Sequence, residues 1–151
     1  MATSIASVPI ALIGIHQEIG GPVSEGLKPK YEVVHFMQSM SAAKEDLPHL
    51  LQTQSPPNAH ANDVGTGDYS RQIRAVVMGR GFSEEQGKEL HAMFDSMATL
   101  PVLWVVGENS KKPPGLDIPP GDFAEKQSKF FGDILDEWWK RGASEGELFL
   151  Y

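Results

Sequence analysis

The chain has no cysteine, and that absence removes disulfides, thiolate metal sites and a cysteine nucleophile together. A reducing compartment suits such a chain, and a cytoplasmic location is the expectation. Basic side chains are also few, 13 against 20 acidic ones, for a formal charge of −7. A surface of that sign repels phosphate backbones, so nucleic acid is not an expected partner. No apolar run approaches the roughly 20 residues a membrane-spanning helix needs. The apolar stretch near the start follows no basic residue, as a secretory signal would. A membrane is therefore not an expected partner either.

Several chemical signatures are missing as well. There is no G-x-S-x-G elbow, no phosphate-binding loop ending in Gly-Lys-Ser/Thr, and no G-x-G-x-x-G. The five histidines are His16, His35, His49, His60 and His91. No two of them have the H-x-x-x-H spacing with carboxylate companions that a metal site uses, and no metal is expected.

What is present is one domain's worth of alternating elements. At 151 residues, with 40% apolar and 22% charged side chains, the chain can form a single core. Ile10 to Ile13 reads as a strand, followed by a loop from Gly14 to Gly20 and a helix opening on Gly21-Pro22. Tyr31 to Met37, rich in β-branched and aromatic residues, is the second strand. Ser41 is the expected cap of the next helix, which Pro48 should kink or divide.

Residues 52–70 are rich in proline, glycine, asparagine and aspartate and read as a mobile loop, with a lid over the strand ends as the competing reading. Ile73 to Met78 is the third strand. Ser83 and Gln86 have capping-box spacing ahead of a helix whose Leu90, Met93, Phe94 and Met97 fall on one face. Pro101 to Val106 is the fourth strand, and residues 107–121 form a proline-rich loop. Asp122 and Glu125 repeat the capping spacing, and the helix from Phe123 to Arg141 ends at Gly142. Glu147 to Tyr151 has the composition of a fifth, edge strand.

Strands alternating with helices imply a three-layer α/β/α sandwich around a mostly parallel sheet of four to five strands, Rossmann-like or flavodoxin-like, in the order 2-1-3-4-5. In that order the ligand crevice lies between the first and third strands. The residues expected there are Gly14, His16, Gly20 and Gly21 from one loop and Gly79, Arg80, Gly81 and Ser83 from the other. Backbone donors at Gly20 and Gly21, backed by the helix dipole, form an anion cradle in this reading, with Arg80 opposite. His16 and His35 are the candidate acid–base residues. The bland readings are glycines that serve only the turn and helix start, a water-exposed loop histidine at His16 and a satisfied core or rim histidine at His35.

A standard NAD site is disfavoured, because the second strand ends in Met37, Gln38 and Ser39 with no acid to accept the ribose hydroxyls. The segments IALIG, GGPVSEGL and YEVVHFM, within residues 9–40, resemble the opening strand–helix–strand of CoA-binding Rossmann domains and of the flavodoxin-like substrate domain of D-2-hydroxyacid dehydrogenases. The resemblance implies the α/β fold and makes a nucleotide or CoA a ligand class. The catalytic arginine, glutamate and histidine of the dehydrogenases belong to a cofactor domain that a chain this short does not carry, so no catalytic role transfers.

The functional expectation is a small protein binding an anionic or nucleotide-type ligand at the first and third loops. Its rivals are a cofactor-free enzyme acting on a small organic substrate, and a dimeric interaction or scaffold protein that has lost ligand binding. A homodimer is expected, through the helix carrying Trp138 and Trp139.

Overall fold

The computed structural model describes residues 7–61, 63–109 and 123–151. Its elements run β1 (Val8–Ile13), α1 (Gln17–Leu27), β2 (Tyr31–Met37), α2 (Met40–Leu51), β3 (Ala75–Met78), α3 (Glu84–Phe94), β4 (Leu103–Val106), α4 (Phe123–Lys140) and β5 (Glu147–Leu150). All four strand pairings are parallel, and the sheet order is 2-1-3-4-5. The expected α/β architecture is therefore the observed one.

Every residue of β3 and β4 is buried, because helices cover both faces of the sheet. On one face Val23 and Leu27 of α1 and Phe131, Leu135 and Trp138 of α4 meet Ile10, Val33 and Val105. On the other, Leu47 and Leu50 of α2 and Leu90 and Phe94 of α3 meet Ile13, Val76 and Trp104. Trp104 is fully buried, and its indole N–H is satisfied by Asp95 Oδ1 at 2.8 Å.

Several boundaries depart from expectation for local reasons. α1 opens at Gln17, not Gly21, and the carbonyl of His16 already accepts from the N–H groups of Ile19 and Gly20. Pro22 thus lies inside the helix. The carbonyl it leaves without a donor belongs to Glu18, which is exposed, so water can serve it. Ser39, not Ser41, caps α2, accepting from Ala42 N–H at 3.0 Å. Pro48 does not divide that helix: it falls in the last turn and orphans only the carbonyl of exposed Lys44.

The Ser83–Gln86 capping box forms as expected. Met93 and Met97, however, are 48% and 38% exposed instead of packed on the sheet. α3 stops at Phe94 and tightens into a 3₁₀ turn over Asp95–Met97, which changes the rotation per residue and carries Met97 outward. Gly142 closes α4 in the left-handed conformation, φ 99°.

Within residues 52–70, Thr66 and Gly67 lie along the outer edge of β2. Thr66 and Gly67 donate to the carbonyls of Val33 and Val34, each at 3.0 Å. Only glycine fits at 65, where a Cβ would lie 2.5 Å from the Val34 carbonyl. Residues 110–121 of the proline-rich loop, including Lys111 and Lys112, and the expected cap Asp122 lie outside the described residues. Among the described residues no helix is long and apolar enough to cross a membrane.

Candidate functional site

The reversal in strand order falls between β1 and β3. From these neighbouring strands the chain leaves in opposite directions, since α1 packs with α4 on one face and α3 with α2 on the other. A rim therefore opens above the carboxyl ends, formed by Gly14-Ile15-His16 and Gly79-Arg80-Gly81.

The structure brings Gly14, Gly79 and Gly81 together there. Gly14 N–H donates to the Met37 carbonyl at 3.0 Å and Gly79 N–H to the Ile13 carbonyl at 2.8 Å, which fixes both loops to the sheet. Ile15 crosses the rim and lies over Gly81, where an added Cβ would meet its side chain at 2.5 Å. The Ile15 carbonyl is held by Gln38 Nε2 at 3.1 Å. His16 is exposed beside the rim, with its Nδ1 3.5 Å from Glu18 Oε1.

Gly20 and Gly21 are not part of this rim. Both lie within α1, where the Gly20 N–H is taken by the His16 carbonyl at 2.9 Å. Gly20 serves packing instead: a Cβ would lie 2.6 Å from the buried ring of Phe36. The amides of α1 without an intrahelical acceptor are those of Gln17 and Glu18, one turn earlier than expected.

Arg80 turns away from β1. Its guanidinium donates to the carbonyls of Glu108 at 3.1 Å and Tyr151 at 2.9 Å and stacks 4.6 Å from the centre of the Tyr151 ring. The Tyr151 hydroxyl donates in turn to the buried Met78 carbonyl at 2.6 Å, and burial pushes that phenol well above its ordinary range. Arg80 thus ties β3 to the segments following β4 and β5. The Ser83 hydroxyl is engaged in its capping box, and the α3 N-terminus receives Asn109 Oδ1 on Glu84 N–H at 3.1 Å.

His35 shares no partner with His16. It is 4% exposed, with Nε2 2.7 Å from Asp46 Oδ2 and Nδ1 2.9 Å from the Tyr69 hydroxyl. With Asp46 ionised, Nε2 carries the proton and Nδ1 accepts from Tyr69. Asp46 Oδ1 takes two further bonds from Asn58, through its backbone N–H and its Nδ2. This carboxylate–imidazole–hydroxyl chain is fully bonded and anchors residues 58 and 69 against α2 and β2.

Sequence reading missed Asp46, Asn58 and Tyr69. One signal was available: Asp46 lies on the same stripe of α2 as Ala43, Leu47 and Leu50, and a carboxylate on an apolar stripe needs a buried partner. Nothing local identifies that partner, which lies 11 residues upstream on β2. Among the described residues no three histidine or carboxylate side chains converge as a metal ion would require.

The chain is similar to "Kojic acid related protein 6" of Aspergillus oryzae, with 28% identity over 137 residues, spanning 91% of this chain and 81% of that protein. No protein-family model matches the chain, and no solved structure matches it.

Proposed function

We propose that this protein binds a small anionic or nucleotide-type ligand at the rim above β1 and β3. What carries the reading is the divergence of α1 and α3 from adjacent parallel strands at the point where strand order reverses. The donor set differs from the one the glycine pattern suggested. It consists of the first-turn amides at Gln17 and Glu18, with the α1 dipole behind them and the exposed His16 imidazole beside them. Ile15 is the side chain that must turn aside to admit a ligand, and at 46% exposure it has room to do so. Arg80 holds the far side of the rim in shape.

A second reading, an interaction module without a ligand, has its own support. Ile15 seated on Gly81 narrows the crevice, and Arg80 is fully engaged within the chain.

A thermal-shift panel of nucleotides, CoA, small organic acids and, because of the relative's name, kojic acid separates the two. A binder raises the melting temperature in proportion to the logarithm of ligand concentration. The shift should shrink in His16→Ala and grow in Ile15→Ala. Flat responses from the wild type and Ile15→Ala alike would overturn the ligand reading and leave the interaction module standing.

A further inference from the structure

The two edges of the sheet are treated differently. Along β2 the N–H groups of Thr66 and Gly67 cap the carbonyls of Val33 and Val34, so that edge is strapped by the chain itself. At β5 no described segment does the same. Glu147 and Tyr151 donate to the carbonyls of Val102 and Val106, and in a parallel ladder this leaves the N–H and C=O groups of Leu148 and Leu150 pointing away from β4. An edge that no described segment pairs is a template for another strand. The usual deterrents of lysine, proline or a bulge are missing from Glu147–Leu150.

We infer that a second copy of this chain pairs antiparallel with the β5 edge, about a twofold axis passing through Phe149. The register is self-complementary. Leu148 of each copy meets Leu150 of the other and exchanges both outward bonds, while Phe149 faces its own counterpart as a non-hydrogen-bonded pair, the closer kind. Phe149 is 36% exposed on the face that carries Tyr151. The half-exposed Phe130, 5.4 Å from the Tyr151 ring, continues the apolar surface along α4.

Charge does not oppose the arrangement. Glu147, the one charged residue of β5, already receives both guanidinium nitrogens of Arg141 at 3.0 and 3.1 Å, and in this register it faces Tyr151 of the other copy, not an acid. In this assembly the homodimer interface lies at the strand edge and not at the tryptophans of α4, of which Trp139 is 37% exposed and has the Arg74 guanidinium 5.2 Å from its ring centre. Trp138 is buried within its own chain and donates to the Glu145 carbonyl, so it is not available to a partner. The strand-edge dimer does not depend on the ligand reading.

The absence of cysteine makes the test specific. Sedimentation equilibrium of the wild type should give a concentration-dependent dimer. Phe149→Lys sets two like charges face to face on the axis and should sediment as a monomer, with an unchanged far-ultraviolet circular dichroism spectrum. A Phe149→Cys variant should form a disulfide-linked dimer on mild oxidation, since directly opposed residues lie within disulfide reach. Met93→Cys, on exposed α3, should cross-link far more slowly. A wild type that stays monomeric overturns the inference. So does a dimer that survives Phe149→Lys, or a Phe149→Cys variant that cross-links no faster than Met93→Cys.

Discussion

Two adjacent glycines of α1 make different predictions. A Cβ at Gly20 runs into the Phe36 ring, which is 1% exposed and has nowhere to go, whereas a Cβ at Gly21 meets nothing within 4 Å. Gly21→Ala should be close to neutral, because the gain in helix propensity is offset by crowding of the new Cβ against Cδ of Pro22, the next residue of the helix. Gly20→Ala should destabilise it by about 1–2 kcal/mol, the overpacking outweighing the same propensity gain. Urea unfolding of the two variants reads the difference. Asp46 supplies a second residue-scale contrast. Asp46→Ala strands the buried His35 Nε2–H and takes the acceptor from the half-buried Asn58 donors, and should cost about 2–3 kcal/mol. Asp46→Asn should cost visibly less, because the imidazole can change tautomer, accept at Nε2 and donate from Nδ1 to Tyr69.

Among the elements, α4 is clasped to the start of β2 by Asp136, whose Oδ1 accepts from the Tyr31 hydroxyl at 2.6 Å and from Lys30 Nζ at 2.7 Å. Partial burial pushes the Asp136 carboxyl up, but the bonds from Lys30 and Tyr31 outweigh it and hold the group below its ordinary range. A carboxyl lowered on folding contributes stability that is present above its unfolded pKa, about 4, and is lost as pH falls through the folded value. Asp136→Asn should remove this part of the acid-side loss, seen as a shallower fall in urea midpoint below about pH 4. The effect is modest because the carboxylate remains 37% exposed. The strap on β2 offers a test of a different kind. Gly65→Val would force residues 64–67 off the strand edge, and hydrogen exchange should speed up at the Thr66 and Gly67 amides, with little change in β3 and β4.

For the molecule as a whole, Tyr31 and Tyr151 join opposite ends of the sheet to their surroundings. Both are nearly buried, and burial raises both phenols above their ordinary value; Asp136 adds to the rise at Tyr31, and Arg80 partly offsets it at Tyr151. A phenol raised on folding contributes stability present below its unfolded pKa, about 10, and lost as pH rises beyond it. Global stability should therefore decline above about pH 10, and Tyr31→Phe with Tyr151→Phe should flatten that decline while costing stability at neutral pH. A variant that keeps the full alkaline slope would contradict this assignment.

Sequence alone determined the sheet and its order, because continuous apolar runs such as VLWVV, the helical spacing of Leu90 and Phe94, and the Ser83–Gln86 box are local patterns read off a few neighbouring residues. It placed α1 one turn late, since Gly20-Gly21-Pro22 looks like a helix start until Phe36 arrives from β2 and requires a glycine against its ring. It offered Arg80 to a ligand, where the fold brings up the carbonyls of Glu108 and Tyr151, 28 and 71 residues away. Only tertiary structure could decide these matters. A side chain's role depends on which partners a long loop closure delivers to it, and no periodicity in the chain records that. The same holds for the two edges of the sheet: composition shows the turn-rich stretch 52–70 and the short strand ELFL, but only the fold sets Thr66 and Gly67 along β2 and leaves β5 without an outer neighbour among the described residues.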